Sequence, residues 1–95
     1  MSTRRKAKEY MVTGKVDVRI GKRGIHSNVV KEIIKNLDKK GTVKIRFLKS
    51  AIYGKDLGDI LSELMMKVSI LDRSIKIADV RGRVIVLYKE RKKNR

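Results

Sequence analysis

The chain contains no cysteine, no proline and no tryptophan. Without cysteine it forms no disulfide, carries no thiol nucleophile and offers no thiolate to a metal. Its one histidine, His26, cannot build a histidine-based metal centre alone. Aromatic residues are limited to Tyr10, Phe47, Tyr53 and Tyr88. No apolar run approaches membrane-spanning length, and the first residues are basic and polar, without the apolar core of a signal peptide. The expectation is a soluble cytoplasmic protein, free or associated with nucleoid or ribosome, with no membrane partner. No Ser-His-Asp or Cys-His set is present, no Gly-x4-Gly-Lys-Ser/Thr loop, and no close carboxylate pair outside one helix start. No enzymatic activity, cofactor or metal is therefore expected.

Acidic residues are also scarce: 10 Asp and Glu stand against 26 Lys and Arg, a net charge of +16 on 95 residues. Abundant Lys, Arg, Ile and Val with no Gln fit a thermophile, but that composition balances the two signs. A one-sided excess points to a polyanionic partner. The excess is unevenly placed. Residues 1–49 hold 15 basic and 4 acidic residues, residues 50–80 hold 4 and 5, and residues 81–95 hold 7 and 1. The first half and the tail are thus expected to face the partner, and the second helical region to face away.

The absence of repeats and linkers implies one domain over residues 10–89, preceded by a flexible basic arm (1–9) and followed by a basic tail (90–95). Tyr10, Val12, Gly14, Val16, Val18 and Ile20 alternate with polar positions, the period of a half-buried strand. Val16–Ile20 is its firmest part, with Gly14 marking a bulge or a break. Val29, Val30, Ile33, Ile34 and Leu37 predict a helix over about Ser27–Lys39, with Ser27 or Asn28 as N-cap and Lys39-Lys40-Gly41 at its end. Val43, Ile45 and Phe47 give a second strand over Thr42–Leu48, followed by a loop from Lys49-Ser50 through Gly54. A second helix is expected over about Asp56–Lys67, its early acids Asp56, Asp59 and Glu63 complementing the helix dipole. Ile75–Val80 and Arg83–Lys89 read as a hairpin about Arg81-Gly82, and the second of these strands is apolar on both faces, as a central strand would be. The order β-α-β-α-β-β defines an α/β (α+β, two-layer) class: one four-stranded mixed sheet with two helices packed on it.

The segment Gly21-Lys22-Arg23-Gly24 links the first strand to the first helix. Its glycines permit a sharp turn and close approach to a ligand. Backbone donors, the positive end of the helix dipole and two cations converge there, which describes an anion site. In so basic a chain the expected anion is a nucleic-acid phosphate. His26 adjoins the loop; histidine is the side-chain type whose protonation near neutral pH would strengthen a phosphate contact, while a surface or capping role is the favoured reading of its place. Asn28 follows at the helix start. Lys31 and Lys35 on the helix, Lys44, Arg46 and Lys49 on or just after the second strand, and Arg81 and Arg83 at the hairpin extend the candidate surface. Phe47 and Tyr88 lie in apolar registers and read as core. Tyr53, in a loop, is free to stack on a base or to pack.

Ile20-Gly-Lys-Arg-Gly-Ile-His-Ser-Asn-Val-Val-Lys-Glu-Ile-Ile, followed by Val43-Lys-Ile-Arg, resembles the CRM domain of the YhbY-like RNA-binding family. Val80-Arg-Gly-Arg-Val-Ile-Val-Leu-Tyr-Lys resembles that family's closing hairpin, and the likeness spans about Val16 to Lys89. It implies a fold akin to the C-terminal domain of bacterial translation initiation factor three, and binding of structured or ribosomal precursor RNA. It also implies that Gly21, Lys22, Arg23 and Gly24 form the RNA-contacting loop, with Lys44 and Arg46 as basic strand positions. Two features depart from the pattern: Ile25-His26 stands where the family usually has Leu-Thr, and residues 1–15 read as arm plus strand where the family begins with a helix. The chain is also similar to archaeal Alba proteins, with Ile20-Gly21-Lys22-Arg23 at the first turn, which implies coating of duplex DNA. RNA is the favoured partner, duplex DNA the alternative, and a structural place on the ribosome a third reading; monomer and dimer remain open.

Overall fold

The computed structural model describes residues 3–90, with side chains from Arg5 onward, so the ends of the expected basic arm and tail lie outside the described residues. The chain runs α1 (Thr3–Thr13), β1 (Val18–Ile20), α2 (Ser27–Lys40), β2 (Thr42–Phe47), α3 (Lys49–Ile52), α4 (Leu57–Leu71), β3 (Ile75–Arg81) and β4 (Val84–Lys89). The strands form one mixed sheet in the order β1-β2-β4-β3. β1 is parallel to β2, with Val18 opposite Ile45 and Ile20 opposite Phe47. β4 runs antiparallel to both neighbours. It is central, as its two apolar faces require: Ile85 and Leu87 enter one core, Val86 and Tyr88 another.

The larger core lies between one sheet face and helices α2 and α4. Phe47, Ile20, Ile33, Leu37, Ile45 and Leu64 are nearly inaccessible within it. The stripe Val29, Val30, Ile33 and Leu37 buries one side of α2, as its 3–4 spacing dictates. Gly41 closes α2 in the left-handed region (φ 82°), its N–H donating to the Leu37 carbonyl at 2.8 Å.

The opposite face holds the main departure from the sequence reading. Residues 3–13 are neither arm nor strand but helix α1, which lays Ala7 and Met11 on Ala78, Val86 and Tyr88. The alternation at Tyr10 and Val12 is coincidental: Ala7, Tyr10 and Met11 share a helical face, while Val12 is exposed. Gly14 ends this helix, donating its N–H to the Tyr10 carbonyl at 2.8 Å. A Cβ there would stand 2.2 Å from the Tyr10 ring, so the ring folds back over a position that only glycine leaves open. β1 is correspondingly shorter than Val16–Ile20. Two smaller differences follow from local bonding. The expected loop after Lys49 opens with the single turn α3. Helix α4 runs a turn beyond Lys67, because Val68 continues the buried Ile60–Leu64 row. It stops where the Asp72 carboxylate accepts from Ser74 N–H (2.9 Å) and Oγ (2.6 Å).

Candidate nucleic-acid interface

The basic loop leaves the sheet at the end of β1. Gly24 N–H donates to the Gly21 carbonyl at 2.9 Å, closing a tight turn with Lys22 and Arg23 exposed at its tip. Gly24 has φ 73°, a conformation costly for any residue with a side chain. The loop is pinned below. Ile25 is buried, and its carbonyl accepts from Lys67 Nζ at 2.7 Å. Leu48 N–H donates to the Ile20 carbonyl at 2.9 Å, holding the end of β1 to the start of α3.

The α2 cap differs from expectation. His26, in extended backbone (φ −94°, ψ 173°), is the N-cap, and no side chain supplies a cap bond; neither Ser27 nor Asn28 does so, because both already lie inside the helix. The first α2 bond is Val30 N–H to the His26 carbonyl (3.1 Å), so the amides of Ser27, Asn28 and Val29 lie ahead of the intrahelical ladder. They form the positive end of the helix dipole, a few residues after Lys22 and Arg23 in the chain. Beside the loop, a cleft of about 320 Å³ is edged by Arg23, His26, Lys55, Glu63 and Lys67.

Register brings further cations to the same end of the sheet. Arg19 pairs with Arg46, Arg46 with Val84, and Val84 with Arg81, so one row crosses all four strands. All three arginines are exposed. Arg83 lies beside this row in the hairpin, its carbonyl accepting from Phe47 N–H at 2.8 Å, and the exposed Lys49 follows β2. Arg19 is not among the candidates from sequence. A signal for it exists, since Arg19 and Arg46 both lie on the polar side of their strands' alternation, but only the β1–β2 register makes them neighbours.

Other candidates lie elsewhere. Lys44 Nζ donates to the carbonyls of Met11 (2.6 Å) and Gly14 (2.9 Å), so its charge is committed to the C-terminal end of α1. Lys31 and Lys35 lie on the α2 flank that faces α4, and Asn28 is exposed in the first turn. Tyr53 is 89% exposed, whereas Phe47 and Tyr88 are core residues.

Three of the ion pairs among the described residues lie at one end of the sheet. Lys40 pairs with Asp17, and Lys89 with Asp38 (2.7 Å) and Asp72 (3.0 Å), all at the sheet end away from the loop. Burial pushes the Asp17 carboxyl upward, but hydrogen bonds from Lys40, the Lys44 N–H and Tyr10 outweigh it and hold it below the ordinary carboxylate range. Burial likewise works against the Lys40 ammonium, and the bonds to Asp17 and Tyr10 reverse it, raising its pKa. The two bonds from Ser74, helped by Lys89, hold Asp72 at about 2. At the loop end, the only ion pairs among the described residues are Arg81 with Asp79 (3.1 Å) and Lys67 with Glu63 (2.8 Å). Among those residues Arg19, Lys22, Arg23, Arg46 and Lys49 make none.

The fold is that of a small α/β domain: a four-stranded mixed sheet with a basic Gly-x-x-Gly turn at a helix start and a cationic sheet end beside it. The family model of the CRS1/YhbY (CRM) domain matches residues 2–89, and the chain belongs to that family. Among solved structures it is similar to the hypothetical protein SAV1595 from Staphylococcus aureus, whose solution structure is described as that of a candidate RNA-binding protein. Identity is 27%, the TM-score is 0.65, and the match covers 98% of this chain and 90% of that one. A search of curated proteins finds no significant match.

Proposed function

We propose that this protein binds RNA, structured or ribosomal precursor RNA in the first place, through the loop end of its sheet. The observation that carries the reading is the set of exposed cations without an ion pair gathered around a tight basic turn. Arg19, Lys22, Arg23, Arg46 and Lys49 lack acidic partners among the described residues, while Asp17, Asp38 and Asp72 neutralise cations at the far end. Family membership and the description of SAV1595 support RNA as the polyanion. In this reading a phosphate sits against the loop and the first α2 amides, which are preorganised donors. Lys22 and Arg23 neutralise the phosphates on either side. The strand then continues over Arg19 and Arg46 toward Arg83 and Arg81. Lys44 supports this surface by fixing α1 rather than by touching the ligand, and the site of action is the cytoplasm.

Phosphate contacts are common to all nucleic acids, so the test is competition. Structured RNA, single-stranded RNA and duplex DNA of equal length are compared at about 150 mM salt. The expected result is a preference of ~10³ or more for structured RNA. Equal or tighter binding to duplex DNA overturns the RNA reading in favour of a DNA-coating role.

A further inference from the structure

On the outer surface α2 and α4 diverge and leave a groove between them. One half, about 460 Å³, runs between Val30 and Lys31 of α2 and Lys67, Ile70 and Leu71 of α4. The other, about 520 Å³, continues past Ile34 and Lys35 to Asp38 and Lys39, with Leu71 again on the far wall. The α4 wall is unusually apolar for open surface. Ile70 is 78% exposed and Leu71 59%; Met66, one turn before Ile70 and outside the groove lining, is 66% exposed. Scattered aliphatic residues are normal on a surface, but a contiguous set beside a groove marks a contact. Lys31, Lys35 and Lys39 recur every four residues along the opposite rim, and none of them makes an ion pair among the described residues.

We propose that this groove docks an amphipathic helix of a partner protein, one whose apolar face is flanked by acidic residues. The groove follows α2 from Ser27 to Lys39, about 18 Å, the length of roughly three turns of a docked helix. Charge selects among occupants. An isologous pair with α2 against α2 would set Lys31, Lys35 and Lys39 of one copy against those of the other, and any second copy brings its own excess of positive charge, so a second copy is disfavoured. The aliphatic wall offers no ring or guanidinium plane for a base to stack on, and RNA gains nothing from covering Met66, Ile70 and Leu71. An acidic amphipathic helix satisfies wall and rim together. None of the five unpaired cations assigned to RNA lines the groove, but its end at Ile25, His26 and Ser27 adjoins the basic loop, so RNA affinity is measured beside peptide binding.

The probe is a fluorescein-labelled synthetic helix of about 14 residues, with Leu at i, i+3, i+4 and i+7 and Glu on both flanks; a matched peptide carries Lys in place of Glu. Binding is read by anisotropy at about 150 mM salt, and NMR shift mapping locates it. The Glu peptide is expected to shift groove residues and to bind at least about tenfold more tightly than the Lys peptide. I70D/L71D is expected to weaken it by about tenfold or more, and K31E/K35E by a similar factor, while RNA affinity of I70D/L71D stays within about twofold. Circular dichroism verifies the fold of each variant. Failure of the Glu peptide to outbind the Lys peptide, or equal binding to I70D/L71D, overturns the proposal. So does a loss of RNA affinity or of self-association in I70D/L71D, which would name RNA or a second copy as the occupant.

Discussion

Asp17 ties three elements to the start of β1. Its carboxylate accepts from Tyr10 Oη (2.9 Å), from the Lys44 N–H (2.9 Å) and from Lys40 Nζ, joining α1, β1, β2 and α2 at one point. Replacing it with Asn removes the charge but keeps the shape. Loss of a partly buried charged hydrogen bond costs about 2 kcal/mol, measurable as a lower urea midpoint with unchanged slope. Asp17 and Asp72 are both held below the ordinary carboxylate value of 3.8, Asp72 at about 2. Their folded states therefore bind fewer protons than the unfolded chain. The stability they contribute is complete above about pH 4 and is lost as pH falls through their folded values. Stability against pH should decline from about pH 4 toward pH 2, and less steeply in D17N. A flat profile through that window would contradict this account. Gly14→Ala is a second residue-scale case: the new methyl meets the Tyr10 ring at 2.2 Å, so the ring must leave its place over the chain. The expected signature is loss of the Tyr10 contacts by NMR together with destabilisation of about 1–3 kcal/mol.

At the scale of elements, each strand and helix whose apolar period matches one buried face can be read from sequence. α2 and β4 are the clearest cases, the one from its 3–4 stripe, the other from apolar residues on both sides. α1 cannot be read so, because Ala7, Tyr10 and Met11 make a short stripe that overlaps a false alternation into Val12 and Gly14. What fixes it as a helix is the second sheet face, left bare otherwise, and no local pattern contains that information. The candidate site divides similarly. The loop is legible, since its glycines and cations are adjacent in sequence. The arginine row is not, because Arg19, Arg46 and Arg81 meet only through register, and Lys44 is misplaced because its acceptors belong to the unforeseen helix. The row yields its own prediction. Arg19 and Arg46 are exposed and make no ion pair among the described residues, so R19E/R46E should change stability by no more than about 0.5 kcal/mol. Its RNA affinity at moderate salt should fall by about tenfold or more. Unchanged affinity in fluorescence titrations would remove the sheet end from the interface.

The whole molecule is strongly cationic, and the loop end of its sheet gathers Arg19, Lys22, Arg23, Arg46 and Lys49 without ion pairs among the described residues. Such a charge layout attracts a polyanion and makes its affinity steeply salt-dependent. With about five phosphates neutralised, log K against log salt should fall with a slope near −3 to −5, on the basis of about −0.7 per contact for single-stranded and about −0.9 for duplex segments. The most direct test of the loop's role is titration of structured RNA with wild type and K22E/R23E, repeated across a salt series. Lys22 and Arg23 are fully outside the core, so the variant should fold as wild type does. The account predicts affinity at least about tenfold lower at moderate salt and a slope shallower by about 1–2. Unchanged affinity and slope would mean that the phosphate is held elsewhere.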